Sequence, residues 1–555
     1  MAVRCIVDLG CLQSLEKGRS IWSLAHGFPR WGANKWRRTA CPHARAPPSC
    51  GKGDGTIAND HILAIDQGTT STRSIVFDAR GHALASAQVE HIQHYPGRDR
   101  VEHDAMEIWK NALDTARQAL AASGLCAEDI AAIGIANQRE TSVVWDRDTG
   151  EPIHNAIVWQ DRRSAAACAQ MVEDGHGAGV TARTGLLIHP YFSATKIAWI
   201  LDNVPGARER AERGDLCAGT MDSFILWHLT GGQVHKTDIT NASRTMLFDI
   251  HRQCWDAELC QLFGIPMAIL PAVHDNDHAF GTTAPGLFER PVPIAGMAGD
   301  QQAALIGQTC FEVGSVKATY GTGCFMLLHT GDRPVTSGHR LLTTPAYRIA
   351  GRTAYALEGS IFAAGAAVKW LRDGVGLIER AGDTQALAQS VPDSHGVYMV
   401  PAFAGLGAPH WDAGARGAIY GLTLDTRPAH LARATLEAVA YQTLDLITAM
   451  RDDGGAMPRV LRIDGGMAAN DWLCQFIADV ADVPVDRPDD LETTALGAAF
   501  LAGLGVGLWP DLASLAHVRR RERAFQPNMK ADLRAARIEG WHDAVARTRS
   551  RQAGT

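Results

Sequence analysis

The chain has 555 residues, of which 46% are hydrophobic and 20% are charged. This composition excludes a mainly disordered chain, and about 100–200 residues per domain predicts about two to four domains. The formal net charge of −7 and a pI of about 6.3 exclude a global attraction to nucleic acid or to an anionic membrane.

Residues 1–58 differ from the rest of the chain because they lack hydrophobic periodicity. We predict an N-terminal extension that is disordered or results from an upstream start. A targeting peptide is the alternative, although Asp8 and Glu16 interrupt the apolar pattern of a signal peptide. Cys41, His43 and Cys50 are candidate zinc ligands, but their spacing fits no common zinc pattern.

The first predicted elements are a β-hairpin, a helix and a buried strand. Apolar residues 62–65 and 74–77 flank a Gly/Thr turn, which predicts two paired strands. Residues 107–121 are predicted to be helical, and the apolar run 130–135 is predicted to be a buried strand. Strands and helices continue to alternate downstream, which indicates an α/β architecture.

The second half of the chain repeats this pattern. A strand predicted at 316–320 leads into a glycine turn at 321–323. Apolar residues between 436 and 447 fall on one face of a predicted helix. A strand at 460–463 then leads into another glycine turn. Each half thus contains a strand that ends in a polar, glycine-rich turn, which predicts two lobes that face one nucleotide-binding cleft.

Two features bear on the cellular compartment. Residues 493–510 form the longest uncharged stretch, but four glycines and a final proline interrupt it. We therefore predict a buried helix followed by a loop, and no membrane span. The 12 cysteines form no CxxC pair, which favours reduced thiols and a cytoplasmic protein.

The first candidate site is the segment 66–73, where a strand ends in a carboxylate and a glycine turn. Mg²⁺ prefers hard oxygen ligands such as the Asp66 carboxylate, and phosphate oxygens need N–H, O–H and cationic partners. The turn supplies partners of these kinds, which are Thr69, Thr70, Ser71 and Arg73. The segment therefore predicts a phosphate and metal site, with an ordinary hairpin turn as the alternative.

Two further segments are candidate sites. Asp300 follows an apolar strand predicted at 293–297, where a carboxylate is placed for proton abstraction or metal contact. The alternative is a helix N-cap. Residues 464–470 form a glycine turn that admits a flat base or a phosphate, with a tight structural turn as the alternative. The sequence contains neither GxxxxGK[ST] nor GxGxxG, so a P-loop or Rossmann interpretation has no support.

Several histidines are predicted to lie at the surface. Residues 274–278 read His-Asp-Asn-Asp-His and resemble a metal cluster, but the nearby Pro271 and Gly281 favour a polar surface loop. His91 and His94 are likewise predicted to be exposed.

Taken in order, these segments resemble the FGGY family of carbohydrate kinases, within the actin-like ATPase superfamily. The resemblance covers about residues 60–508. It rests on five segments, which are 66–73, 192–203, 296–304, 417–437 and 463–470. It implies an α/β fold of two actin-like (ribonuclease H-like) lobes with a cleft between them, each lobe a mixed sheet flanked by helices. The implied domains are 60–309 and 310–510, and we predict a C-terminal helical tail at 511–555.

Within the family, the chain is most similar to members that phosphorylate glycerol, because it contains the Asn-Gln-Arg-Glu-Thr segment 137–141. The resemblance implies that an arginine and a glutamate hold the hydroxyls while aromatic rings cover the CH face. The implied substrate residues are Arg139, Glu140, Trp159, Tyr191, Asp300, Gln301 and Phe325. Arginine donates and glutamate accepts, so vicinal hydroxyls find both kinds of partner.

The resemblance also implies MgATP as the phosphoryl donor, Asp300 as the general base, and Asp66 and Asp300 as the metal residues. The implied nucleotide residues are Thr69, Thr70, Ser71, Arg73, Thr322, Gly365, Lys369, Gly466 and Asn470. Lys369 stands where the family has a glutamine. Residues 284–291 lack the glycine-rich basic loop of members regulated by fructose 1,6-bisphosphate, so inhibition by this effector is not expected.

The resemblance further implies a homo-oligomer, either a dimer or a tetramer.

Three other functions stay open. They are phosphorylation of another polyol or sugar, ATP hydrolysis by an actin-like protein without a metabolite substrate, and a catalytically inactive sensor. Arg139, Glu140 and Trp159 argue against the second, and the intact Asp66 and Asp300 argue against the third.

Overall fold

A computed structural model describes residues 59–412, 414–454 and 458–550. The extension predicted for residues 1–58, with the candidate zinc ligands Cys41, His43 and Cys50, lies outside these residues.

The N-terminal half of the described chain contains fourteen strands and nine α-helices. Its strands are β1 (His61–Gln67), β2 (Ser71–Phe77), β3 (Ala83–Glu90), β4 (Glu102–His103), β5 (Ile130–Asn137), β6 (Ser142–Asp146), β7 (Ala156–Ile157), β8 (Leu216–Thr220), β9 (Lys236–Asp238), β10 (Phe248–Asp249), β11 (Cys254–Trp255), β12 (Ala272–His274), β13 (Gly281–Thr282) and β14 (Pro293–Gly299). Its helices are α1 (Ala105–Ser123), α2 (Ala165–Glu173), α3 (Gly177–Thr184), α4 (Ser193–Asn203), α5 (Ala207–Arg213), α6 (Met221–Leu229), α7 (Ile239–Ala242), α8 (Ala257–Leu262) and α9 (Asp300–Gly307).

The C-terminal half contains the remaining elements of the described residues. Its strands are β15 (Val316–Tyr320), β16 (Cys324–Gly331), β17 (Leu342–Ile349), β18 (Arg352–Ile361), β19 (Tyr398–Val400), β20 (Ala418–Tyr420), β21 (Leu461–Asp464), β22 (Val485–Pro488) and β23 (Arg521–Phe525). Its helices are α10 (Gly365–Lys369), α11 (Asp383–Gln389), α12 (Pro428–Gly454), α13 (Asp471–Ala481), α14 (Thr493–Gly505), α15 (Leu512–Leu515) and α16 (Ala531–Thr548).

The large sheets of the two halves share one topology, apart from the additional edge strand β17 in the second sheet. The six-stranded sheet has the order β13-β14-β5-β1-β2-β3, and the seven-stranded sheet has the order β17-β18-β16-β15-β21-β22-β23. In each sheet the first strand along the chain, β1 or β15, pairs antiparallel with the next strand and parallel with a later one, β5 or β21. Parallel pairing requires a crossover, and helices supply it. The predicted α/β class with two similar halves is confirmed.

The predicted elements that lead into the candidate sites are present. The hairpin of β1 and β2 places Asp66 opposite Arg73. The predicted helix at 107–121 is α1, and the Asp104 side chain caps it by accepting from the backbone N–H groups of Met106 and Glu107. The helix predicted around 436–447 forms part of α12. Local periodicity and turn chemistry therefore suffice to place these elements.

The predicted helical tail needs a correction. Helices α15 and α16 lie in it, but β23 between them pairs antiparallel with β22 and forms the edge of the C-terminal sheet. Arg519 and Arg521 donate to the buried Asp486 carboxylate of β22, over 2.9 and 2.8 Å. This pairing depends on a residue distant in sequence, so local patterns do not reveal it.

The uncharged stretch 493–510 forms α14 and then a loop, as predicted. No helix in the described ranges has the length and apolar character that crossing a membrane requires.

Helix α14 packs closely on α9 because glycines line the contact. A Cβ added at Gly497 would lie 1.8 Å from the Ala303 carbonyl oxygen, and one at Gly307 would lie 2.0 Å from the Thr493 carbonyl oxygen. Only a hydrogen atom fits at these positions.

Gly497→Ala is expected to destabilise the protein, because the new methyl group would push α14 away from the α9 backbone. Overpacking of this kind costs about 1–3 kcal/mol, which lowers the midpoint of urea unfolding. Gly179→Ala is the matched control, since Gly179 lies in helix α3 and an added Cβ there would meet no heavy atom within 4 Å beyond the neighbouring backbone of its own helix. The control is expected to keep or raise stability. An equal loss in both variants would contradict the packing argument.

Candidate active site

The candidate catalytic residues follow the ends of three neighbouring strands. Asp66 lies near the end of β1, the Arg139–Glu140 pair follows β5, and Asp300 follows β14. Strand β5 pairs parallel with both β1 and β14, so the three carboxyl ends meet at one edge of the sheet. Ligands of open α/β sheets bind at this edge. The topology therefore places the first and second candidate segments beside each other.

The first and third candidate segments face each other across one cavity of about 360 Å³. The polar and glycine residues that line it are Asp66, Gly68, Ser71, Arg73, Gly465, Gly466 and Glu492. The first four come from the N-terminal half, and the other three come from the C-terminal half. A cleft between two glycine-turn segments is therefore present, as the sequence predicts.

Negative charge is concentrated beside this cavity. Burial raises the pKa of Asp66 to about 7, and the neighbouring Asp300 and Glu492 carboxylates raise it further against the opposing charge of Arg73. Arg73 forms an ion pair with Glu492, and its Nε and Nη2 atoms donate to Gln88 over 3.1 and 2.7 Å. A cation bound near Asp66 would offset this excess of negative charge.

Arg139 is the centre of a buried charge network. It is 2% exposed, and its Nη1 and Nη2 atoms donate to the two carboxylate oxygens of Glu358 over 2.5 and 3.1 Å. Its Nη1 atom also donates to Gln302 over 3.2 Å, and its Nε atom lies 3.2 Å from Asp300 Oδ1. The guanidinium group thus lies between the carboxylate of Asp300 and that of Glu358.

Arg244 and Glu358 complete the network, and sequence analysis missed both. Arg244 donates to Glu140 over 2.5 Å and to Glu358 over 2.9 Å. Burial favours a raised pKa for Glu358, but Arg139 and Arg244 outweigh it and lower the pKa to about 2. Burial raises the pKa of Glu140 despite Arg244 and Arg139. The sequence gives one indication that Glu358 matters: it is the single acidic residue of the mainly apolar strand β18.

Three aromatic rings lie beside this network. The Trp159 ring is 5.5 Å from the Tyr191 ring and 6.4 Å from the Phe325 ring, and both pairs are nearly perpendicular. The Arg139 guanidinium carbon lies 5.7 Å from the centre of the Phe325 ring. Trp159 Nε1 donates to Thr69 Oγ1 over 2.8 Å, which joins the aromatic cluster to the first candidate turn. The geometry thus combines apolar walls with charged donors and acceptors.

Gln301 is the second residue of α9 and is buried beside Asp300. Its Oε1 atom accepts from Lys317 Nζ over 2.5 Å, and the same ammonium donates to Thr319 over 2.8 Å. Burial lowers the pKa of Lys317, while Asp464 and Asp300 oppose the shift. Lys317 lies on β15, so this contact also joins the two halves.

The remaining predicted nucleotide residues, apart from Thr70, lie in the C-terminal half. The Thr322 carbonyl accepts from the backbone at the start of α10, where Gly365 packs on the neighbouring turn. Gly466 lines the cavity, while Asn470 Oδ1 caps α13 by accepting from the Leu473 N–H over 3.0 Å. Lys369 is exposed at the last residue of α10. Thr70 is exposed in the first turn.

The predicted exposure of His91 is wrong. His91 is 6% exposed, and its Nε2 atom lies 3.0 Å from the Gly68 carbonyl oxygen, so the ring packs under the first turn. His94 is half-buried.

Residues 274–278 also differ from a simple surface loop, because Asn276 is fully buried. Over the described ranges, no group of three or more His, Cys, Asp or Glu residues is arranged to hold a metal ion on its own.

The fold and the site are those of a two-lobed α/β phosphotransferase. The profile of the N-terminal domain of the FGGY family of carbohydrate kinases matches residues 61–307, and that of its C-terminal domain matches residues 316–506. The chain therefore belongs to the FGGY family of carbohydrate kinases, with the two-lobed actin-like fold of that family.

Several glycerol kinases match most of the chain. The chain is 62% identical to the glycerol kinase of Rhodospirillum centenum over 88% of this chain and 98% of the relative. It is 60% identical to the glycerol kinase of Gluconobacter oxydans over 88% and 95% of the two chains. It is also similar to the crystal structure of Plasmodium falciparum glycerol kinase with ADP, with a TM-score of 0.83, 37% identity and coverage of 89% and 99%.

Proposed function

We propose that the protein transfers the γ-phosphoryl group of ATP to a terminal hydroxyl of glycerol, which gives sn-glycerol 3-phosphate and ADP. One observation carries this proposal: the Arg139–Glu140 pair, the aromatic rings and the Asp300 carboxylate lie together beside a cavity lined by two glycine turns. The high identity to glycerol kinases supports the choice of substrate.

The pocket chemistry fits a small triol. Arg139 is a fork of N–H donors and Glu140 is an acceptor, so adjacent hydroxyls can be bound as acceptor and donor. Tyr191 adds a hydroxyl beside them, and the Trp159 and Phe325 rings would cover the CH face. Each charge-assisted hydrogen bond contributes about 1.5–3 kcal/mol, which orients the substrate before reaction.

Asp300 is the proposed general base. It is the first residue of α9, and its side chain is 29% exposed at the cleft. Its Oδ1 atom accepts from the Gln301 N–H over 2.7 Å and faces Arg139, and within the described residues its Oδ2 atom accepts no hydrogen bond. Asp300 would take the proton from the attacking hydroxyl as the oxygen forms its bond to the γ-phosphorus atom. Gln301, held by Lys317, would bind the same end of glycerol.

The nucleotide would lie between the two glycine turns. Thr69, Thr70, Ser71 and Arg73 would hold phosphates from one side, and Thr322 would hold them from the other. The residues proposed to bind the rest of the nucleotide are Gly365, Lys369, Gly466 and Asn470. Lys369 replaces a neutral side chain of the family pattern, so it would add a positive charge near the nucleotide. Arg73 is held by Glu492 in the structure and would exchange this partner for phosphate.

The donor set fits Mg²⁺. Hard carboxylates are available, and the raised pKa of Asp66 marks negative charge that a dication would offset. Asp66 and Asp300 would hold the ion together with phosphate oxygens and water, and the ion would neutralise charge on those oxygens. Two carboxylates would suffice as protein ligands, because Mg²⁺ usually shares its coordination with substrate phosphates and water.

We extend the proposal to a homo-oligomer, a dimer or a tetramer, that acts in the cytoplasm. The support is the family resemblance for the oligomer and, for the compartment, the 12 sparse cysteines, which contain no CxxC pair. Sedimentation analysis of the purified chain measures its oligomeric state directly.

Glycerol-dependent release of ADP from MgATP is the expected result of the direct assay, with sn-glycerol 3-phosphate formed in equal amount. Turnover is expected to fall in the order glycerol, erythritol, xylulose, because Arg139, Glu140 and Tyr191 are proposed to hold the hydroxyls of a small triol. Glycerol-independent ATP hydrolysis, or a preference for another polyol or sugar, would contradict the proposal. Direct detection of the phosphorylated product separates these outcomes.

A further inference from the structure

We infer that Glu358 is a positioning residue for Arg139, and that it makes the glycerol pocket of the N-terminal half depend on contact with the C-terminal half. The inference rests on the proposed function and adds to it a residue that acts through another side chain. Glu358 is assigned no direct contact with glycerol or with the phosphoryl group.

The contact joins two halves that are far apart in the sequence. Glu358 lies on β18 in the C-terminal sheet, whereas Arg139 and Arg244 belong to the N-terminal half. Both Glu358 oxygens are engaged: one faces Arg139 Nη1 at 2.5 Å, and the other accepts from Arg139 Nη2 and Arg244 Nη2 over 3.1 and 2.9 Å. All three residues are at most 2% exposed. One carboxylate from the C-terminal half therefore holds two arginines of the pocket.

The geometry of Arg139 explains why this contact has a positioning role. A guanidinium group binds a carboxylate best through two parallel N–H bonds, and Glu358 occupies the Nη1–Nη2 edge in this way. The Nε side is left facing Asp300 at 3.2 Å, and Glu140 lies 4.0 Å from the same nitrogen. Without Glu358, the Nη1–Nη2 edge would lose its carboxylate partner, keep only the neutral Gln302, and turn towards Asp300 or Glu140. Either movement would misplace the donor that glycerol needs.

The charge balance supports the same conclusion. A buried charge without its partner is strongly destabilising, so the two arginines require acidic partners inside the pocket. Glu140 binds Arg244, while Asp300 must stay available at the cleft. Glu358 supplies the remaining negative charge from outside the N-terminal half. Each of the two arginines therefore has a carboxylate partner other than Asp300 only when β18 lies against the pocket.

The test is Glu358→Gln, which keeps the shape of the side chain and removes its charge. The KM for glycerol is expected to rise at least tenfold, while the KM for ATP changes less than twofold. Glu437→Gln is the matched control, because Glu437 is also buried in the C-terminal half and also binds two arginines, Arg433 at 2.9 Å and Arg537 at 3.2 Å. The control is expected to leave the KM for glycerol unchanged.

The outcomes separate positioning from stability. Titration with ADP gives the fraction of each variant that is folded, and kinetics are scaled to that fraction. A selective rise of the glycerol KM in Glu358→Gln supports the inference. A parallel change of both KM values, no change, or the same change in Glu437→Gln overturns it. If Glu358→Gln yields no folded protein, Glu358→Asp is measured by the same criteria, because it keeps the charge and shortens the reach.

The wild-type protein distinguishes failure of this inference from failure of the proposed function. A wild-type protein that binds ADP but forms no sn-glycerol 3-phosphate would overturn the proposed function, and the inference with it. A wild-type protein that forms the product, beside a Glu358→Gln variant with an unchanged glycerol KM, would overturn the inference alone.

Discussion

Asp300→Asn is expected to lower kcat by about 10²–10⁴-fold, the usual contribution of a positioned general base. Asparagine has the same shape, and its side-chain oxygen can still accept from the Gln301 N–H, so the start of α9 is expected to persist. The amide cannot take a proton from the attacking hydroxyl. The KM for MgATP is expected to rise as well, because Asp300 is also proposed to hold the Mg²⁺ ion beside the phosphates.

The measurement is steady-state product formation at saturating MgATP and glycerol, with folding checked by circular dichroism. Asp532→Asn is the matched control, because Asp532 lies in the first turn of α16, as Asp300 lies in the first turn of α9. It removes one acidic residue from a helix N-terminus without touching the cleft. Wild-type turnover in a folded Asp300→Asn variant would show that the proton leaves by another route.

The sequence predicts those parts of the site that local chemistry defines. Asp66 and Asp300 each follow a buried apolar run, and a polar turn or helix start follows each of them. Because strand ends and glycine turns are encoded within a few residues, these segments can be located without tertiary contacts. Their convergence at one sheet edge follows from the parallel pairing of β1, β5 and β14.

Arg244 and Glu358 escape sequence analysis for a physical reason. Their importance comes from the charges that they meet in the folded protein, and these partners are separated by more than 100 residues. A buried charge in an apolar strand shows that some partner must exist, but it does not identify the partner. His91 illustrates the same limit, because only the folded hairpin buries its ring under the first turn.

The second large effect is expected from Arg139→Lys, which lowers kcat/KM for glycerol about 100-fold or more. Lysine keeps one positive charge, so the buried Glu358 and Glu140 carboxylates are not left without a cation. It replaces the planar fork by a single ammonium group, which cannot bind Glu358 in a bidentate way and also reach the substrate. The loss of one or two charge-assisted hydrogen bonds, about 3 kcal/mol, corresponds to about 100-fold.

Arg433→Lys is the matched control for Arg139→Lys. Arg433 is also buried and binds a buried glutamate, Glu437, at 2.9 Å, but it lies on α12 rather than among the aromatic rings of the pocket. The control is expected to lose some stability and to keep its glycerol kinetics. Near wild-type kcat/KM in Arg139→Lys would show that the fork is dispensable and that Arg244 carries the contact with the hydroxyls.

The separate effects of Arg139→Lys on KM and on kcat show whether Arg139 acts in the substrate complex, in the transition state or in both. An interaction made equally in the substrate complex and the transition state raises KM and leaves kcat unchanged, whereas one made only in the transition state lowers kcat. Arg139 lies 3.2 Å from Asp300, so its displacement would alter both the bound hydroxyl and the environment of the base. Both parameters are therefore expected to change. A change in KM alone would restrict Arg139 to holding glycerol.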